Sequence, residues 1–203
     1  DALLGGYETL ADLPAGAVVG TASVRRKALV LHYRPDVTVK LLRGNINRRV
    51  AALEAGEYDA IILAVAGLKR LNLQVTYHPL DESIMPTAAA QGALAVQTRV
   101  LDDERNKAAA AALASLNCAR TLAEVTAERA MLGFLDGSCH TPIAASARID
   151  DDNVLMLDGM ILSSDGSSAH RDTISGAAEK ASELGAQLAE TLLAKAGGRS
   201  FLA

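Results

Sequence analysis

Short apolar runs alternate with stretches of helical periodicity through the first third of the chain. After a polar opening, Ala17-Val18-Val19-Gly20 reads as a short buried strand, and Thr21-Ala22-Ser23 supplies the polar start of a helix running through Arg25, Arg26 and Lys27 to about His32. Arg34-Pro35-Asp36 breaks that helix. A second strand is expected over 37–42, a second helix over 45–55 with Gly56 at its stop, and a third strand over 58–63. This order predicts an α/β layer with mainly parallel strands.

From 74 to 86 the pattern lapses into an irregular connection punctuated by His78-Pro79 and Met85-Pro86, the expected crossing between domains. Residues 93–98 are strand-like, and a helix is expected from Asp102 to about Ser115. Neither has an evident partner in the chain, so both read as the returning edge of a domain whose remainder lies upstream of residue 1. Asn117 is the expected cap of a long helix over 119–132, on which Glu124, Glu128 and Arg129 read as exposed charges. Strand signals over 143–149, 154–162 and 169–174, joined by Asp- and Gly-rich turns, precede an amphipathic helix over 177–194. The expected organisation is a second α/β domain over 1–87, a returning strand and helix over 88–116, and an α+β unit with a small antiparallel three-stranded sheet over 117–203.

Composition narrows the class. Half of the 203 residues are hydrophobic and only 3% are aromatic, so the core is aliphatic and nothing points to stacking on bases or sugars. The longest apolar run, 60–68, falls short of the ~20 residues a membrane helix needs, and no secretory signal pattern is visible. Two cysteines, Cys118 and Cys139, are too few for a disulfide framework and suit a reducing cytoplasm. Residues 1–100 carry 11 Lys+Arg against 9 Asp+Glu, and the remainder 9 against 15, which lacks the basic excess of a nucleic-acid binder.

The placement of the arginines matters more than their number. Arg25 and Arg26 follow the first expected strand, Arg43 the second, with Arg49 a turn into the next helix, and Lys69 and Arg70 the third. Exposed helix faces are the usual home of arginine. Recurrence at three successive strand ends favours a ligand instead, because open α/β sheets bind ligands there and helix amino termini add positive potential. Guanidinium groups suit bidentate capture of carboxylate or phosphate, which the residues alone leave undistinguished. No Gly-rich nucleotide fingerprint is present.

The loop Asp136-Gly137-Ser138-Cys139-His140-Thr141-Pro142 holds a lone thiol. In isolation such a cysteine reads as a small buried hydrophobe, and Cys139 with His140 makes a poor metal site without a second, spaced pair. The segments Gly20-Thr21-Ala22-Ser23-Val24-Arg25-Arg26, Leu42-Arg43-Gly44-Asn45, the run from Gly56-Glu57-Tyr58-Asp59 to Gly67-Leu68-Lys69-Arg70, and this loop together resemble, in order, the hydroxymethylbilane synthases, also called porphobilinogen deaminases. The resemblance spans essentially the whole chain.

It implies a three-domain cytoplasmic transferase of tetrapyrrole, or haem, biosynthesis, usually monomeric, whose second domain has a periplasmic-binding-protein-like fold. Such an enzyme condenses four porphobilinogen molecules onto a covalent dipyrromethane cofactor with release of ammonia, then frees linear hydroxymethylbilane by hydrolysis. By motif, Cys139 would attach the cofactor through a thioether. Arg25, Arg26, Arg43, Arg49 and Arg70, with Ser23 and Gly44, would hold the acetate and propionate groups of the cofactor and the polypyrrole intermediates. The resemblance assigns no metal, nucleic acid or membrane partner. It places the catalytic aspartate in an amino-terminal part preceding Asp1, so this chain alone is expected to be inactive. Ala22, Ser138, His140, Arg48 and Ala90 depart from the usual pattern, Ala90 standing where a glycine commonly precedes Gln91-Gly92. A different class of function, a noncatalytic binding module for an anionic small molecule, also suits the strand–helix alternation and its arginines.

Overall fold

The computed structural model describes residues 1–98, 107–137 and 140–202. The first half builds β1 (Ala2–Leu4), β2 (Val18–Thr21), α1 (Val24–Tyr33), β3 (Thr38–Leu41), α2 (Ile46–Glu54), β4 (Ala60–Leu63), α3 (Val65–Arg70) and β5 (His78–Pro79). The five strands form one sheet in the order β3-β2-β4-β1-β5. β2 runs parallel to both β3 and β4, as the strand–helix alternation predicts. β1, by contrast, is antiparallel to β4 and to β5, so the sheet is mixed. The opening read as polar holds a strand because Ala2, Leu3 and Leu4 are all buried. Three apolar residues in a row show no alternation that would mark them as strand.

Side chains on successive strand residues point to opposite faces, and the two faces of this sheet are covered separately. Leu3, Val19 and Ile62 pack with Ala28 and Leu29 of α1. Ala2, Leu4, Ile61 and Leu63 pack on the other side with Val50 of α2 and Leu68 of α3.

The second half contains α4 (Lys107–Ala114), α5 (Ala119–Phe134), β6 (Ile143–Ile149), β7 (Val154–Leu162), β8 (Ala169–Ala177) and α6 (Ala181–Lys195). β6, β7 and β8 make the expected three-stranded antiparallel sheet, with Ile143 opposite Ile161 and Val154 opposite Ala177. β8 continues past residue 174 because Ser175, Gly176 and Ala177 pair with Met156, Leu155 and Val154. One face of this sheet meets α5 and α6 through Ala145, Leu155, Leu157, Met131 and Leu188.

Ala144, Met160 and Leu162 point the other way, into the cluster that contains Ala28 and Leu29. The small sheet is thus buried on both faces at this end, and the second unit is seated on α1.

Two expectations fail in the connection. Residues 93–98 form no strand, with Leu94 89% and Val96 65% exposed, since no strand among the described residues lies beside them to take up their backbone groups. The residue flanking α5 is Cys118 rather than Asn117, one position later than the side-chain type indicated. The expected helix start at Asp102 lies outside the described residues.

Candidate functional site

Polar side chains fix the starts of two helices at the strand ends. Ser23 is the N-cap of α1: its Oγ accepts from Arg26 N (3.3 Å), while Ser23 N donates to Thr21 Oγ1 (3.2 Å). Asn45 caps α2, its Oδ1 accepting from Arg48 N (2.9 Å). Each such cap stabilises its helix by about 1 kcal/mol and aims the first turn's remaining N–H groups outward. Gly44, at φ +116°, holds a backbone conformation that L side chains avoid, and its carbonyl accepts from Arg49 Nε (2.8 Å).

The start of α1, with Arg49 from α2, borders a cleft of about 510 Å³ whose wall includes Ser23, Arg25, Arg26, Arg49, Gln91 and Thr141. The cleft lies between the first unit, the loop after Pro86, and the second unit. Arg25 is nearly buried, at 4% exposure. Its Nη1 donates to Pro86 O and its Nη2 to Asp1 Oδ2 (2.7 Å) and Gln91 Oε1 (3.3 Å). Arg26 donates to the same carboxylate through Nε (3.1 Å) and Nη2 (2.6 Å), and through Nη1 to Ile62 O (3.3 Å). Burial, with the like charge of Arg26 second, lowers the Arg25 pKa to about 10, and burial lowers that of Arg26. At neutral pH both guanidiniums stay charged.

The structure gathers Ser23, Arg25, Arg26 and Arg49 around one cleft; Gly44 is outside its lining and bonded to Arg49. Arg43 stands apart in a second cleft of about 530 Å³ with Leu42, Arg48, Glu57 and Tyr58. Arg70 is exposed in the last turn of α3 and lines neither. Cys139 and Ser138 lie outside the described residues; Thr141, two positions after Cys139, is part of the first cleft's wall. Among the described residues no group of three or more His, Cys, Asp or Glu could hold a metal ion.

Sequence reasoning missed Asp1, Gln91 and Glu128. Glu128, expected on the exposed face of α5, is only 8% exposed. Its carboxylate accepts from Ala90 N (2.5 Å) and Ala147 N (2.7 Å), tying the 88–92 loop and β6 to α5. Desolvation raises its pKa above 4.5 against the opposing pull of those two N–H groups.

In the same loop Ala90 sits at φ +61°, a left-handed conformation that costs an L residue about 1–2 kcal/mol relative to glycine. Ala90→Gly is therefore expected to raise stability by about 1 kcal/mol after the larger unfolded-state entropy of glycine is subtracted. A urea midpoint that falls in the variant would contradict this strain.

The fold and site define a class: an α/β scaffold with arginines, one of them buried, around a cleft, flanked by a small α+β unit. Comparison with known proteins sharpens it. A family model described as "Porphobilinogen deaminase, dipyromethane cofactor binding domain" matches residues 1–107, and one described as "Porphobilinogen deaminase, C-terminal domain" matches residues 122–194. A porphobilinogen deaminase from Nitrobacter hamburgensis is 43% identical over 195 residues, covering 95% of this chain and 60% of that protein's length. The chain belongs to the porphobilinogen deaminase family and spans about three fifths of the length of this curated relative.

The residues present fit a dipyrromethane. The side chains around the first cleft offer guanidinium donors suited to carboxylates, and Arg25 Nε is buried without a hydrogen-bond partner, a donor left for an anionic group.

Proposed function

We propose that the protein carrying this chain is a hydroxymethylbilane synthase, joining porphobilinogen units head to tail with loss of ammonia and releasing the linear tetrapyrrole. The observation that carries this reading is the meeting, at one cleft, of the arginines from the first matched domain with Thr141 from the cysteine loop of the second. Cys139 is the proposed thioether attachment point of dipyrromethane, which when bound supplies the primer that is lengthened.

The chain's own residues then have separable tasks. Arg25 and Arg26 bind carboxylates in fixed orientation, because their other N–H groups are already committed to Asp1, Pro86, Gln91 and Ile62. Arg49, anchored on Gly44 O, adds a third guanidinium to the wall. Arg43 in the neighbouring cleft, and Arg70 further out, are proposed to meet carboxylates of the lengthened product, and Ser23 and Gly44 shape the two helix starts. The aspartate that supports proton transfer belongs, in this reading, to the amino-terminal part of the enzyme. Residues 1–87 are the second domain, with the periplasmic-binding-protein-like fold, 88–116 return to the first, and 117–203 form the third. The enzyme acts as a cytoplasmic monomer.

Intact-mass measurement of the full-length protein from cells tests the proposal. A mass increment equal to dipyrromethane is expected in the wild type and absent in Cys139→Ser. An unmodified Cys139 in the wild type, with reversible binding of dicarboxylates, would instead establish a noncatalytic binding module.

A further inference from the structure

The Asp1 carboxylate is fully buried, yet it holds two guanidinium groups that both face the cleft. Oδ2 accepts from Arg25 and Arg26 together, Oδ1 accepts from Arg26 Nη2, and Gln91 Nε2 donates to Oδ1 (3.2 Å). A guanidinium has five N–H donors. Arg26 spends three, two on Asp1 and one on Ile62 O. Arg25 spends one on Pro86 O and two on Asp1 and Gln91, which leaves Nε–H unpartnered. Each arginine therefore keeps two donors, and neither side chain can turn without breaking contacts to a buried carboxylate.

The charge count points the same way. Arg25, Arg26 and Arg49 bring three positive charges to the cleft and Asp1 removes one, which leaves two. A pyrrole unit brings two carboxylates, so the cleft is neutralised by one ring.

We propose that Asp1, seconded by Gln91, is the positioning residue of this carboxylate grip: it keeps Arg25 and Arg26 side by side and matches the cleft to a single dicarboxylate pyrrole unit. The inference rests on the porphobilinogen reading above. Asp1 itself touches no ligand, because its side chain is buried beneath the two arginines.

Steady-state kinetics of full-length Asp1→Asn and Gln91→Leu with porphobilinogen test it, with the Cys139 adduct of each protein followed by intact mass. Loss of orientation weakens a grip on the substrate's non-reacting carboxylates, which raises KM more than it lowers kcat. Asp1→Asn is expected to raise KM by about tenfold or more, and Gln91→Leu, which leaves the Arg25–Asp1 and Arg26–Asp1 ion pairs in place, by about threefold.

A merely structural Asp1 would lower kcat in proportion to the folded fraction and leave KM unchanged. A merely electrostatic cleft would bind more tightly once the negative charge is gone and lower KM. Either result overturns the proposal. If Asp1→Asn fails to fold, Gln91→Leu decides alone, and an unchanged KM in that variant is refuting. A wild type without adduct or turnover refutes the function itself and the inference with it, whereas a loaded, active wild type with unshifted KM in both variants refutes the inference alone.

Discussion

Glu128→Ala is expected to lower the stability of the protein by about 2–4 kcal/mol. The substitution strands two backbone N–H groups, those of Ala90 and Ala147, and an unsatisfied buried donor costs about 1–3 kcal/mol. Removing a desolvated carboxylate returns part of that cost, which is why the net falls below the sum. Denaturant titration should show a lower midpoint with an unchanged slope, since the same surface is exposed on unfolding.

A pH series adds a check of sign. Because the folded-state pKa of Glu128 lies above 4.5, its titration favours the folded protein below pH 4.5, and this contribution is lost as pH rises through the raised value. The stability of the wild type relative to Glu128→Gln should therefore decline across that window. A gap that widens with rising pH would mean that the two N–H bonds outweigh desolvation. Gln91 follows Ala90 directly, so the clamp made by Glu128 also sets the side chain that bridges Asp1 and Arg25.

The helix starts were legible because capping is local: Ser23 and Asn45 act on residues three positions ahead, within one short window of sequence. The three antiparallel strands were legible because the turns that bound the apolar run of β7, over 150–153 and 163–168, carry Asp, Asn and Gly. Asp1 was not legible, since its partners Arg25, Arg26 and Gln91 lie 24, 25 and 90 positions away. Glu128 could have been found: with Met131 and Leu135 it lies on a helical stripe whose other members are buried, at the three- and four-residue spacing of one face.

Arg70 was grouped with the other arginines by its order after a strand end. The intervening α3 has six residues, which at about 1.5 Å per residue carries its last turn roughly 9 Å from that end. Position along the chain and position around a cleft diverge wherever a helix begins at once.

Gly166→Val is expected to cost about 2–5 kcal/mol and to loosen the seat of the second unit on α1. Gly166 lies in the turn between β7 and β8 at φ +74°, where a β-branched side chain is strained by about 1–2 kcal/mol. A Cβ there would stand 2.5 Å from Ala28 O and 2.7 Å from His32 N, backbone atoms of α1 that cannot move aside as a flexible side chain would. Overpacking of this kind adds about 1–3 kcal/mol.

Two further contacts show that the turn is built for this position. His32 Nδ1–H donates to Gly166 O (3.1 Å), and the Asp165 carboxylate accepts from Ser163 Oγ, Ser167 N and Ser167 Oγ, which holds its pKa at about 2. If the turn lifts, Met160 and Leu162 lose their cover from Ala28 and Leu29, and the α1 helix that carries Arg25 and Arg26 loses its backing. Amide exchange over residues 28–32 should then accelerate together with the fall in midpoint. A Gly166→Val protein with wild-type midpoint and wild-type exchange in α1 would show that the cleft's arginines do not depend on this docking.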